Sequence, residues 1–323
     1  MAKQYPHIRI SILSRPFAHV FFENLAPNVT FIAADIKNEY RHISGLNKLY
    51  RRLAAKQFTA VADFHDILRT KYLRMRFCIG QYRVAHINKH RSEKRRLTAQ
   101  HHKMLQPIQS SFLNYADVLA QLGYPIQLDF TSIFGKEGGN LEHLPGNIVS
   151  LKEHWQWIGI APFAAHRGKI YPLESMEKVI RKIQEEYPNS KIFLFGGNPQ
   201  ELQAFDTWAE KYPNCINASS ALSGLEQELI LMSHLRVMIS MDSANMHLAS
   251  LVNTPVVSIW GATHPFAGFM GWNQRIDNAV QVALPCRPCS IYGNKPCLRK
   301  DYACLNNITT EQIIQKIETL LTQ

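Results

Sequence analysis

The chain has 323 residues, 46% of them hydrophobic, and 36 Lys and Arg against 25 Asp and Glu give a formal net charge of +11. This length exceeds what one hydrophobic core usually serves, so two domains are expected, and the apolar content excludes an intrinsically disordered chain. No run of 18 apolar residues could span a membrane and no apolar secretory core opens the chain, which predicts a soluble, cytoplasmic protein.

Met1 to Tyr5, followed by Pro6, reads as the tail of a helix entering a strand, whereas a doubly wound domain starts with strand, loop and helix. A first strand-loop-helix unit is therefore expected to be missing. Hydrophobic alternation predicts strands at His7 to Leu13, Val29 to Ala34, Ala60 to Phe64 and Tyr82 to Ile87, and helices at about residues 44–56, 66–78 and 104–122, the last closed by Gly123. The third of these strands ends in Asp63-Phe64-His65-Asp66, where a carboxylate or imidazole could take a proton; helix capping by Asp66 is the competing reading.

Residues 69–103 hold eleven Lys or Arg and one acid, Glu93, which localises +10 of the chain's charge. Such a patch suits nucleic acid, anionic lipid headgroups or a phosphorylated glycolipid, or is simply solvated. Nucleic acid is disfavoured because no binding motif or aromatic ladder accompanies the charge. Its densest part, Arg91 to Arg96, falls between predicted elements and reads as a mobile loop. Gly135 to Gly146 has the composition of an interdomain connection, giving domains at residues 1–146 and 147–323.

The second half alternates strands and helices more clearly. Strands at Trp157 to Ala161, Lys191 to Phe195, Val237 to Met241 and Pro255 to Trp260 each run into polar or small residues. In parallel sheets ligands sit beyond the carboxyl ends of strands, so Asp242, Ser243 and Thr263 are expected to converge, with His247 one turn inside the intervening helix. Ser243 suits an N-cap, and the N–H groups behind it suit a phosphate. Near the end, Cys286-x2-Cys289-x7-Cys297-x6-Cys304 has a spacing open to structural zinc, free thiols or disulfides, while Cys78 and Cys215 read as small core residues. Thr309 and Gln312 form a capping-box pattern ahead of a terminal amphipathic helix.

Asp242, Ser243, His247, Leu248, Ala249, Pro255, Gly261, Thr263 and Pro265 together resemble the donor-site signature of glycosyltransferase family 9, the lipopolysaccharide heptosyltransferases. The match departs at Ala244, where relatives carry Gly. Upstream, Ala164 and Ala165 stand where relatives often carry Ser or Thr, Lys169 matches a phosphate-contacting lysine, and Glu201 matches a ribose-binding glutamate. A solvated Lys169 and a helix-start Glu201 are the alternatives. The resemblance implies an α/β protein of two Rossmann-like domains facing a cleft, the GT-B architecture, with an incomplete acceptor domain followed by a donor domain. It implies inverting transfer of a sugar, most plausibly heptose, from an ADP-linked donor to an anionic glycolipid core at the inner membrane face, with no cofactor required.

In that family the general base lies in the absent first unit, and no residue here matches it. Three explanations stay open: a start placed downstream of the true one, a trimmed chain, or a protein without the base. His65 and Asp66 are the catalytic candidates left, and His65 and Arg69 the acceptor contacts. A GT-B scaffold that binds a nucleotide sugar or glycolipid without transfer is the other reading.

Overall fold

The computed structural model describes residues 1–23 and 25–322 and divides into two compact units, residues 1–89 with 109–130 and residues 90–108 with 131–323. In the first unit, β1 (Ile10–Ser14) pairs in parallel with β2 (Val29–Ala33), and β3 (Ala60–Asp63) with β4 (Arg83–His86). Helices α1 (Ile43–Ala54) and α2 (Leu68–Ile79) pack side by side, burying Leu46, Leu49, Leu53, Leu73 and Phe77. Their apolar residues recur at helical spacing, which turns one face of each inward. Helix α4 (Ser111–Gln121) covers β3 and β4 through Val118.

The second unit starts with α3 (Arg91–Leu97) and resumes at α5 (Gly146–Val149). There follow β5 (Gln156–Ala161), α6 (Leu173–Glu186), β6 (Ser190–Leu194), α7 (Pro199–Lys211), β7 (Cys215–Asn217), α8 (Ala218–Ala221), α9 (Leu225–Ser233), β8 (Val237–Met241), α10 (Ala244–Leu251), β9 (Val256–Ile259), β10 (Ala279–Val280), α11 (Ala303–Asn306) and α12 (Thr310–Leu321). The six strands form one parallel sheet in the order β7-β6-β5-β8-β9-β10. Helices cover both faces, so β5, β8 and β9 are buried almost throughout and read as continuous apolar runs. Thr309 caps α12 as expected, accepting from the Gln312 N–H while Gln312 reaches back to Thr309, and Ile313, Ile314 and Ile317 join the core beneath it.

Four expectations change. Arg91 to Arg96 is helical rather than a loop: Glu93 sits in the first turn of α3 and Lys94, Arg95 and Arg96 in the last, the charge order the helix dipole favours. The helix expected at 104–122 begins only at Ser111, because Pro107 disfavours helical backbone before it and Ser110 caps the start by accepting from the Leu113 N–H. Gly135 to Gly146 is part of the second unit, tied by Gly139 N–H to Ser233 Oγ (2.9 Å) and by His234 Nε2 to the Gly139 carbonyl (2.7 Å); the chain re-enters that unit at Thr131, ahead of this stretch. Cys78 is exposed on α2, whereas Cys215 is buried, its thiol pushed up to about 12 by burial.

Candidate functional site

The strand order reverses at β5, with β6 and β7 to one side and β8 to β10 to the other. Loops leaving neighbouring strands on the two sides of such a point diverge, and a crevice opens at their carboxyl ends. Here it is a cavity of about 870 Å³, lined by Phe163, Ala164 and Ala165 after β5, Gly196 to Asn198 after β6, and Asp242 and Ser243 after β8. The volume suits a ligand of nucleotide-sugar size. Lys169, Glu201, Ala244 and His247 line it too.

Lys169 Nζ lies 3.1 Å from Asp242 Oδ2, and both side chains are largely buried. Among the described residues that oxygen has no hydrogen-bond partner, and the Lys169 ammonium offsets its charge. The loop carrying Lys169 is set by close backbone packing: the Ala262 N–H donates to the Gly168 carbonyl (2.8 Å), and a Cβ on Gly261 would collide with that carbonyl and with Leu305. Gly261 of the signature thus permits an approach that no other residue allows. Gly293, at φ +73°, lies across the stem of Lys169, where a Cβ would overlap Lys169 Cγ.

A buried guanidinium organises the same corner. Arg287 donates to the carbonyls of Gly261 (2.6 Å) and Thr263 (2.9 Å), to that of Val282 and to Gln281 Oε1. Burial, the largest influence, lowers its pKa, but an arginine so placed keeps its charge. Sequence reading missed Arg287 and Gly293 because neither lies in the signature.

Ser243 is the backbone N-cap of α10, yet its hydroxyl makes no capping bond and lies 3.4 Å from Ser240 Oγ. The free N–H groups of the first turn therefore face the cavity uncovered by that side chain. His247 sits one turn in, open to solvent at the cavity wall; desolvation by the surrounding protein lowers its pKa, Asp242 pulls it up and Lys169 pushes it down, so a neutral imidazole faces the cavity. Thr263 departs from expectation: it is fully buried, its hydroxyl has no hydrogen-bond partner among the described residues, and it does not line the cavity. The Arg287 grip on its carbonyl fixes the loop with the side chain inward.

Glu201 belongs to the capping box of α7. Its carboxylate accepts from the N–H of Gly197 (2.7 Å) and of Asn198 (3.3 Å), while Asn198 Oδ1 accepts from its own N–H (3.0 Å). The helix-start alternative accounts for these bonds. Phe269 and Tyr292, stacked with centroids 5.8 Å apart, line the cavity and carried no signal in sequence.

In the first unit, Asp63 Oδ1 accepts from the N–H of His65 and of Asp66, each at 2.9 Å. Arg74 reaches Asp63 at 3.1 Å and Asp66 at 3.2 Å, and Lys71 approaches Asp66 at 3.8 Å. Burial alone would raise the Asp66 pKa, but Lys71, Arg74 and Lys89 outweigh it and the pKa falls. That makes Asp66 a poor proton acceptor. It does not cap α2 either, since the N-cap is Ile67. His65 is exposed, and Arg69 donates to the Ile36 carbonyl at 3.3 Å.

The four clustered cysteines do gather, around a space of about 10 Å³ bordered by Lys295, Arg299 and Asp301. All are free thiols, and burial above all raises the pKa of Cys289 and pushes that of Cys304 to about 11. Among the described residues no three His, Cys, Asp or Glu stand in metal-ligating geometry.

The family model described as glycosyltransferase family 9 (heptosyltransferase) matches residues 46–298, most of the chain. The chain belongs to glycosyltransferase family 9. A lipopolysaccharide heptosyltransferase 1 from Campylobacter coli is 26% identical over 186 residues, 56% of this chain and 51% of that protein, so the chain spans about half the length of this curated relative. A family 9 glycosyl transferase structure from Veillonella parvula superposes with a TM-score of 0.69 at 20% identity, covering 99% of this chain and 90% of that one. An E. coli heptosyltransferase with ADP gives 0.66 at 15%, covering 99% and 92%. These likenesses establish the α/β GT-B fold.

Proposed function

We propose that the chain is an inverting glycosyltransferase moving a sugar, heptose on family grounds, from an ADP-activated donor to a lipopolysaccharide-core or lipid A-type acceptor at the cytoplasmic face of a membrane. The observation that carries this reading is the buried Lys169–Asp242 pair beside the open N-terminus of α10 in one cavity. Transfer separates charge: the leaving diphosphate gains negative charge as the sugar departs. Lys169 and the first-turn N–H groups of α10 supply fixed positive potential there, and neutral His247 adds a hydrogen-bond donor. These groups can carry the leaving charge without a metal ion.

Asp242 has two tasks in this scheme: it holds the Lys169 ammonium in place, and it accepts from donor-sugar hydroxyls. Phe269 and Tyr292 offer an aromatic wall to the adenine. On the acceptor side His65 is the remaining proton acceptor, because Asp66 is held ionised by its cations, and Arg69 is a contact for acceptor phosphate.

Calorimetric titration with ADP and with ADP-heptose is the test. Lys169→Ala and Asp242→Asn should each weaken binding about tenfold or more, since each removes a charge-assisted contact in a desolvated site. Unchanged affinity in both variants, with the fold intact by circular dichroism, would overturn the assignment.

A further inference from the structure

Helices α1 and α2 contain seven Lys or Arg and no acidic residue. The inner faces of the pair are spent on the first unit's core. The outer face of α2 is also apolar: Leu68 is 86% exposed, Met75 49% and Ile79 71%. These positions, spaced i, i+7 and i+11, form one stripe along the helix. Core packing does not explain it, because Leu73 and Phe77 already fill the opposite side.

Basic groups flank the stripe. On one side Asn47 of α1 accepts from Tyr72 (2.8 Å) and Arg76 (2.5 Å), which binds the two helices together, and Arg76 lies over the Tyr50 ring. Beyond it, Lys48 and Arg51 of α1 are exposed. On the other side Lys71 keeps much of its surface in solvent and lies 3.8 Å from Asp66. Arg74, turned inward to Asp63 and Asp66, is already neutralised.

We infer that this α1–α2 face docks on the surface of a bilayer containing anionic lipid. The inference goes beyond the donor-site reading and uses none of its residues. An interfacial helix needs aliphatic side chains that reach the acyl boundary and cations that meet the headgroups, and both are present on one face. Nucleic acid would use the cations but leave three large aliphatic side chains in water. A second copy of the same face would bring its exposed cations, Lys48, Arg51 and Lys71 among them, against their like. The expectation of membrane contact from charge across residues 69–103 is thereby moved to a surface that includes α1 and leaves α3 out.

Vesicle flotation tests it, with phosphatidylcholine alone and with phosphatidylcholine containing phosphatidylglycerol. The full chain should float with the anionic vesicles and stay behind with the neutral ones. Leu68→Ser/Met75→Ser/Ile79→Ser should lower the bound fraction about tenfold while leaving ADP affinity unchanged. In a second variant, Ile79→Trp, brominated acyl chains should quench the added indole in anionic vesicles only. Three results would overturn the proposal: flotation unaffected by the triple substitution, no quenching of the Ile79→Trp indole, or a parent that is dimeric and turns monomeric in the triple variant without binding lipid. Loss of ADP binding in Lys169→Ala concerns the donor site alone, so the two assignments fail separately.

Discussion

Lys169 is steered by a residue with no side chain. Gly293 adopts a backbone that other residues rarely take and presses on the lysine stem. Gly293→Ala should displace the ammonium from Asp242, weaken ADP binding about tenfold and lower stability by about 1–2 kcal/mol, read by calorimetry and thermal melting. An unchanged ADP affinity would mean that Lys169 tolerates another path. His264 offers a pH test. Its Nδ1 accepts from the Phe266 N–H (3.1 Å), and burial first, then Arg287 and Lys103, push its pKa down to about 4 from 6.5. The unfolded chain therefore binds the proton more readily between these values. Stability should be fully present above the unfolded pKa and decline as pH falls from about 6.5 towards 4, by on the order of 1–2 kcal/mol. Urea melts across that window check it; His264→Asn should flatten the slope, and an equal slope in both proteins would exclude this histidine as the cause.

At the level of elements, the strands were the most readable part of the chain. The apolar runs at β5, β8 and β9 are buried on both faces, a pattern local sequence carries by itself, and Asp242 at the end of β8 lines the cavity together with Ala164 and Ala165 beyond β5. What failed depended on distant partners. Thr263 sits in a loop whose direction is set by Arg287, 24 residues away, and no periodicity encodes that grip. Arg91 to Arg96 looked like a loop because its charge hid a helical order that only the dipole makes favourable. Ser243 has the right residue type for a cap, but its hydroxyl leaves the helix start bare. The outer stripe of α2 was hidden differently, since two apolar faces on one helix blur the amphipathic signal.

Across the whole molecule, the two units differ in how completely they bury their sheets. Every residue of β8 and β9 is buried, whereas β1 alternates between partly buried and exposed residues. Scanning calorimetry should resolve two transitions, the first unit melting earlier. ADP at about 100 times its Kd should stabilise only the later one, by about 2.7 kcal/mol. A single transition, or a shift of the earlier one, would contradict assigning the nucleotide to the second unit. Fold class and unit count were legible from length and alternation, but the exchange of residues 90–108 was not, because it rests on bonds such as those from Lys103 Nζ to the carbonyls of Cys286 (2.7 Å) and Pro288 (3.0 Å).

The polypeptide consequently passes from one unit to the other three times, after Lys89, Ile108 and Phe130. A protease that nicks any one of these junctions leaves two covalent tethers intact, so limited digestion should yield pieces that stay joined until further cuts are made. A gene fragment opening at Thr131 would likewise omit the strap whose Lys103 braces the cysteine loop and whose Ile108 N–H donates to the Phe266 carbonyl (2.8 Å). The second unit is contiguous in space and discontinuous in the gene.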